Sequence, residues 1–260
     1  MSKNNKIIAI ANQKGGVGKT TTSINLAVGL ARLNKIVLLV DLDPQGNATM
    51  GCGINSHEIE PNACDMLLQE VDINNVILRA QSSGIDVIGS NTDLTAAELQ
   101  LMKQPNPETV LKKQLAGINK DYDYIIIDCP PSLNILTINA LVAAKSIIIP
   151  MQCEYYALEG LASLLATVDR IQAGANPNLA IEGIIRTMFD GRNNLANDVS
   201  AQLLDHFGSS VYITVIPRNV RVAEAPSHGM SVIEYDQSSR GAIAYLGLAG
   251  EVIRGNNHGS

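Results

Sequence analysis

Residues 14–21 read KGGVGKTT, between an apolar segment and a helical pattern that begins at Lys19. A glycine-rich turn between a strand and a helix lets backbone N–H groups curl around phosphate oxygens at the positive end of the helix dipole. In the common phosphate-binding loop a glycine precedes Gly18 by five positions, and here that position is Gln13. The segment is therefore a deviant form of the loop, which carries an additional lysine, Lys14.

The loop predicts a site for ATP and Mg²⁺. Lys19 is expected to reach the β- and γ-phosphates, and the hydroxyl of Thr20 is expected to ligate Mg²⁺. Thr21 is expected to help hold the α-phosphate. The predicted nucleotide-binding residues of the loop are Gly15, Gly16, Val17, Gly18, Lys19, Thr20 and Thr21.

Two apolar segments end in aspartates, as strands do that deliver acidic groups to a nucleotide site. The first segment, 36–41, is followed by Asp43, which we expect to orient the attacking water or to join the Mg²⁺ shell. Asp41 is the alternative to Asp43 for this role, and it is otherwise expected to be a buried group behind the site. The second segment, 124–128, ends in Asp128, which we expect to bind Mg²⁺ through water.

Short apolar segments alternate with longer helical patterns along the chain, which predicts an α/β fold. The expected architecture is a doubly wound, mostly parallel sheet flanked by helices. Residues 1–255 are predicted to form one domain, residues 256–260 a disordered tail, and residues 51–62 a mobile surface insertion. The predicted strands are 6–12, 36–41, 85–89, 124–128, 146–150, 180–188 and 211–215, and the predicted helices are 19–33, 94–102, 107–119, 134–144, 157–173, 196–207 and 241–253.

Composition narrows the classes of protein. The 260 residues include no Trp, two Phe and seven Tyr, so the core must be built from aliphatic side chains, which suits a sheet covered on both faces. The four cysteines form no C-x-x-C pair, which argues against a zinc or dithiol site and favours reduced thiols in the cytoplasm. The sequence shows no signal-peptide pattern and no apolar run of about 20 residues, so no membrane association is expected.

Together with the loop, three further stretches resemble the ParA/MinD group of deviant-Walker ATPases, and specifically the ParA/Soj chromosome-partitioning ATPases. They are DLDPQGN at 41–47, IDCPPSL at 127–133 and IPRNVRVAEAPSHG at 216–229. The resemblance covers about residues 6 to 253. It implies an ATP-sandwich homodimer that binds double-stranded DNA non-specifically, and hydrolysis that is stimulated by a ParB-type centromere-binding protein and releases the DNA.

The resemblance also implies roles for single residues. Lys14 would reach across the dimer interface as a catalytic cation at the partner's nucleotide, by the logic of an arginine finger. Glu154 would touch the ribose of the partner subunit's nucleotide. The stretch Pro217, Arg218 and Asn219 would line the adenine pocket.

The arginines give an independent, weaker indication of DNA binding. No lysine follows Lys145, yet seven arginines do, and Arg186, Arg192, Arg218 and Arg221 fall in predicted loops or near predicted strand ends. The planar guanidinium group suits phosphate, and the scarcity of aromatics disfavours single-strand stacking. We therefore expect duplex backbone contacts without base reading, with Arg192 and Arg221 as the first candidates and Arg218 next.

Two other functions share the same core motifs. A membrane-positioning ATPase of the MinD kind needs a basic amphipathic C-terminal helix, whereas the predicted helix 241–253 has arginines only at its ends, Arg240 and Arg254. A protein-cargo positioning ATPase remains open from the motifs alone. The leading hypothesis is a nucleoid-associated partitioning ATPase that hydrolyses ATP slowly without its partner.

Overall fold

The central sheet is mostly parallel and has eight strands among residues 5–255, the part of the chain that this computed structural model describes. The strand order is β3-β4-β2-β5-β1-β6-β7-β8, and every neighbouring pair is parallel except β3 with β4. The predicted tail, 256–260, lies outside the described residues. The strands are β1 Lys6–Ile10, β2 Val37–Asp41, β3 Ile77–Arg79, β4 Asp86–Ile88, β5 Tyr124–Asp128, β6 Ser146–Gln152, β7 Ala180–Phe189 and β8 Val211–Pro217.

Helices cover both faces of the sheet, which confirms the predicted doubly wound α/β class. The helices are α1 Lys19–Arg32, α2 Asn47–Gly51, α3 Ala63–Leu67, α4 Leu94–Leu101, α5 Val110–Ala116, α6 Ile135–Ala143, α7 Ala157–Gln172, α8 Asn194–Phe207, α9 Val220–Glu224, α10 Val232–Tyr235 and α11 Arg240–Arg254. Helix α11 packs its apolar side on α1 and β8, as expected for a docking helix.

Strands β2 and β5 are buried from end to end, because each face of the sheet meets a separate apolar core. In β5, Ile125 and Ile127 join one core, whereas Tyr124 and Ile126 join the other. This division follows from the two-residue period of a strand. A strand covered on both faces needs an uninterrupted apolar segment, so the first acidic residue marks the end of the strand at the ligand side.

Several segments differ from expectation, among them the short helices α2, α3, α9 and α10, which were not predicted. The short edge strand β3 was not predicted, because three residues carry too little periodicity to recognise. The predicted surface insertion at 51–62 buries Cys52, Ser56, Ile59 and Asn62. Asn62 then starts α3 through a reciprocal capping box. The insertion therefore contributes to the core as well as to the surface.

A buried carboxylate lies in β4, next to the edge strand β3. Asp86 is 5% exposed, and its two oxygens accept hydrogen bonds from Arg79 Nη1 at 2.8 Å, Lys120 Nζ at 2.5 Å and Tyr122 Oη at 2.7 Å. Burial alone would raise the pKa of Asp86, but these hydrogen bonds outweigh it and the pKa is lowered.

We expect Asp86→Asn to reduce the free energy of unfolding by about 2 kcal/mol at neutral pH, because charge-assisted hydrogen bonds are lost. A lowered folded-state pKa contributes stability above the unfolded pKa of about 4, and this stability is lost as the pH falls through the folded pKa. Denaturant unfolding at pH 7 and pH 3 checks this, and the difference between the two proteins should shrink at pH 3. An equal difference at both pH values would contradict the ionic origin.

Candidate nucleotide-binding site

A cavity of about 530 Å³ opens at the carboxyl ends of the strands, where ligands bind in doubly wound sheets. Its size is in the range of small-ligand sites. The phosphate-binding loop forms one end and the β8–α9 connection forms the other. The lining residues are Gly15, Gly16, Gly18, Lys19, Thr20, Thr21, Asp43, Gln45, Asn47, Pro131, Thr187, Met188, Ile216, Pro217, Arg218, Asn219, Val222, Ala223 and Tyr245.

The loop has the backbone geometry that its glycines predict. Gly16 and Gly18 have φ values of 74° and 85°, the left-handed region that side chains disfavour. Gly18 immediately precedes α1, so the first N–H groups of this 14-residue helix face the cavity with no side-chain cap from that position. Lys19 is buried, which lowers its pKa, and its Nζ donates to the carbonyl of Lys14 at 3.1 Å. The bond from the side chain of Lys19 therefore joins the end of the loop to its start.

The two acidic positions differ in setting. Asp43 lines the cavity, and its Oδ1 accepts the N–H of Gln45 at 3.0 Å. Asp128 is fully buried behind the loop, where its Oδ1 accepts the hydroxyl of Ser23 at 2.7 Å. Its Oδ2 has no hydrogen-bond partner among residues 5–255, and burial raises its pKa. Asp128 thus has an oxygen free for a cation or for water bound to one.

The donors present fit Mg²⁺ bound together with phosphates. No group of three or more His, Cys, Asp or Glu within the described chain could hold a metal without further ligands. Mg²⁺ commonly keeps several waters and takes few protein ligands, with substrate phosphates completing its shell. The hydroxyl of Thr20 would be the direct protein ligand in this arrangement, and Asp43 and Asp128 would act through bound water.

The far end of the cavity contains the residues predicted to bind the base, Pro217, Arg218 and Asn219. Asn219 caps α9, because its Oδ1 accepts the N–H of Arg221 at 2.9 Å. This bond fixes the turn that follows β8 and so shapes the end of the cavity.

Nine lining residues of this cavity were not predicted as site residues. Six of them lie within the stretches 41–47, 127–133 and 216–229, whereas Thr187, Met188 and Tyr245 lie outside every motif. Thr187 donates its hydroxyl to the carbonyl of Val17 at 2.8 Å and so joins β7 to the loop. Met188 has a φ of 48°, a strained value that is often found at functional sites. Tyr245 reaches the cavity from α11. No local pattern marks these residues, since tertiary packing alone brings them to the loop.

Three predicted nucleotide contacts do not line the cavity of the single chain. Val17 is buried beneath the loop. Lys14 and Glu154 lie outside the cavity and form an ion pair with each other, with Nζ 2.5 Å from Oε2. Both side chains are partly exposed, at 38% and 47%. Lys14 is therefore not one of the residues that line the cavity of its own chain.

The candidate DNA arginines differ in accessibility. Arg192 is 91% exposed and forms a bidentate pair with Asp190, through Nε at 2.9 Å and Nη2 at 2.8 Å. Arg218 follows β8 beside them, and its N–H donates to the carbonyl of Phe189 at 3.2 Å. These groups therefore share the carboxyl end of β7 and β8.

Arg221 is half exposed and lies 2.9 Å from Glu224 and 3.4 Å from Asp236. Arg186 lies near the carboxyl end of β7, as predicted, but its side chain is buried there. Its guanidinium donates to Ser200 Oγ at 2.9 Å. Arg186 therefore serves the interior and does not reach a DNA surface.

The fold and the loop together define a P-loop nucleotide-binding protein of the deviant type, and comparison with known proteins gives its family. A family model described as an AAA domain matches residues 5–181. The sporulation initiation inhibitor protein Soj of Bacillus subtilis is 53% identical over 247 residues, which cover 95% of this chain and 98% of that protein. The chromosome partitioning protein ParA of Myxococcus xanthus is 48% identical over 249 residues, with 96% and 88% covered.

Among solved structures, the cobyrinic acid a,c-diamide synthase of Mycobacterium smegmatis with bound ADP and magnesium has a TM-score of 0.84 and 36% identity. The alignment covers 96% of this chain and 94% of that one. The chain belongs to the Soj/ParA family of chromosome-partitioning ATPases, which confirms the resemblance seen in the sequence.

Proposed function

We propose that this protein is a DNA-partitioning ATPase whose ATP-bound form is a homodimer that holds DNA non-specifically and releases it on hydrolysis. The observation that carries the proposal is the placement of Lys14, whose cation lies outside the cavity that its own loop builds. A cation in that position acts on a nucleotide only when a second subunit brings one to it. ATP with Mg²⁺ is the substrate that the loop, Thr20 and the two aspartates fit.

The surface beside Lys14 supports dimerisation. Tyr155 and Tyr156 directly follow Glu154, are 74% and 68% exposed, and pack edge to face with their ring centroids 4.9 Å apart. Exposed aromatics of this kind are enriched in the centres of protein interfaces. Closure of the dimer would replace the Lys14–Glu154 pair with contacts to the partner's nucleotide. The ammonium group of Lys14 would therefore have an anionic partner both in the free chain and in the dimer.

The arginines at the end of β7 and β8 support duplex binding. Arg192 and Arg221 are paired with carboxylates in the free protein, and exposed pairs of this kind contribute little free energy. A DNA phosphate can therefore replace the carboxylate at low cost. In this proposal Arg218 contacts both the nucleotide and DNA. It lines the far end of the cavity and also lies beside the end of β7, where Arg192 is placed.

The remaining parts of the proposal follow from the family. Hydrolysis is slow in the protein alone and is stimulated by a ParB-type protein, and the protein acts in the cytoplasm on the nucleoid. Among residues 5–255 no helix has the length and apolarity to cross a bilayer, and α11 buries its apolar side against α1 and β8.

We expect a random-sequence DNA duplex to bind in the presence of ATP and Mg²⁺, but not with ADP or without nucleotide. Binding should weaken steeply as salt rises, because phosphate contacts release counterions. Fluorescence anisotropy at two salt concentrations measures this. Binding that is equal in all nucleotide states, or absent from all of them while ATP binds, would contradict the proposed switch.

In the same assay we expect Arg192→Ala and Arg221→Ala each to weaken binding about tenfold or more and to lower the salt slope by about 2, since a dimer loses two contacts. Asp190→Asn should strengthen binding, because it frees Arg192 from its carboxylate. Arg254→Ala is the matched control, because Arg254 is an exposed arginine that is not a candidate for DNA contact. It is the last residue of α11, about 20 Å along the helix from the first residue, Arg240. An equal loss in the control would point to net charge and not to a DNA face.

A further inference from the structure

A closed ring of hydrogen bonds holds the backbone of Asp43. Oδ1 of Asp41 accepts the N–H of Asp43 at 3.0 Å, and Oδ2 accepts the N–H of Thr49 at 2.9 Å and its hydroxyl at 2.7 Å. Oγ1 of Thr49 accepts the N–H of Ser90 at 2.9 Å. The hydroxyl of Ser90 closes the ring by donating to the carbonyl of Asp43 at 2.7 Å.

The ring leaves the Asp43 backbone little freedom. Its N–H and its carbonyl are both bonded, and the hydroxyl of Thr49 is used once as a donor and once as an acceptor. Asp41, Thr49 and Ser90 are each 0% exposed. Water cannot exchange for these bonds, and buried bonds of this kind fix geometry more firmly than exposed ones.

Packing around the ring is equally close. Gly46 has a φ of 62°, and a Cβ there would lie 2.8 Å from the carbonyl oxygen of Ser90. A Cβ on Gly89 would lie 2.9 Å from Cγ2 of Thr49. Glycine at both positions therefore allows the segments after β2 and β4 to lie this close together.

We propose that Thr49 and Ser90 are positioning residues for ATP hydrolysis, because they hold Asp43 where it orients the attacking water. This inference rests on the proposed function and on the role that the sequence predicts for Asp43, the orientation of the attacking water. The carboxylate itself has one described hydrogen bond, from the N–H of Gln45, so its place depends on the backbone that the ring holds. A displacement of about 1 Å in a catalytic group can cost on the order of 100-fold in rate.

The test compares Thr49→Val, which keeps the shape and removes the hydroxyl, with Thr49→Ser, which keeps the hydroxyl. Ser90→Ala removes the other donor by a smaller change. We expect Thr49→Val and Ser90→Ala to lower the single-turnover rate of ATP hydrolysis about 10- to 100-fold, measured with duplex DNA present. The dissociation constant for ATP and the ATP-dependent dimer fraction should stay within about threefold of the unmodified protein, and Thr49→Ser should stay within about threefold in rate.

A double-mutant cycle separates positioning from general loss of structure. Thr49→Val should lower the rate no further once Asp43→Ala is present, because the group that it positions is gone. The inference is overturned if Thr49→Val lowers the rate by the same factor in both backgrounds, or if it reduces ATP affinity and dimerisation in proportion to the rate.

The inference alone also fails if Thr49→Val hydrolyses ATP at the unmodified rate while Asp43→Ala does not. Absence of turnover in the unmodified protein would overturn the proposed function and this inference together. The turnover of the unmodified protein, which is measured first, therefore distinguishes the two failures.

Discussion

Replacing Lys19 with alanine is expected to weaken ATP binding at least about 100-fold and to abolish hydrolysis with it. Lys19 is the buried lysine of the loop, and burial lowers its pKa, whereas the nearby carboxyl group of Asp128 acts in the opposite direction. Truncating one partner of a buried charge pair costs about 2–5 kcal/mol. Isothermal titration with ATP and Mg²⁺ measures the loss, and unchanged turnover would refute the assignment of the loop.

Lys14→Ala is the matched control, five positions earlier in the same loop. Lys14 lies outside the cavity and pairs with Glu154, so its loss should change ATP affinity by less than about threefold, as expected for an exposed pair. Its loss should still lower hydrolysis by the dimer, because no cation then reaches the partner's nucleotide. Equal loss of ATP binding in both variants would show that Lys14 serves its own nucleotide.

Local patterns in the sequence were sufficient for the elements that carry the phosphates. Strand β5 begins and ends where predicted, at Tyr124 and Asp128, because a buried strand requires an apolar segment and a polar residue ends it. The start of α1 at Lys19 followed from the loop in the same way. Gly16 and Gly18 have the left-handed backbone that a phosphate-binding loop requires, which accounts for glycine at these two positions.

Contacts between distant positions could not be predicted. Lys14 and Glu154 are 140 residues apart, and both were expected to meet a partner's nucleotide, so their pairing in one chain was not foreseen. Ser90 and Thr49 are 41 residues apart and belong to no motif, since any small hydroxyl residue looks ordinary in a sequence. Arg186 shows a different limit, because its place near the end of β7 was predicted, whereas its burial was not.

Asp43→Ala is expected to separate ATP binding from ATP hydrolysis. Asp43 lines the cavity beside the loop but is not part of it, so the loop contacts to ATP remain and the affinity should change little. A positioned acid–base group typically contributes about 10²- to 10⁴-fold to a rate, and we expect a fall of that size.

The physical consequence is a trapped state, because the ATP-bound dimer forms and cannot reset. In the proposed switch, Asp43→Ala should therefore stay dimeric and remain on duplex DNA with ATP for far longer than the unmodified protein. Size-exclusion chromatography with light scattering, together with the dissociation rate of labelled DNA after an ATP chase, measures this. Asp43→Asn is the isosteric control, since it keeps the shape but cannot accept a proton.

Normal turnover in Asp43→Ala would move the catalytic role elsewhere, and Asp41 is the alternative because it lies one hydrogen bond behind Asp43. A variant that lost ATP binding instead would make Asp43 chiefly a member of the Mg²⁺ shell. If the hydrolysis rate falls while ATP binding, dimerisation and DNA binding all persist, the reset of the switch is assigned to the carboxylate of Asp43.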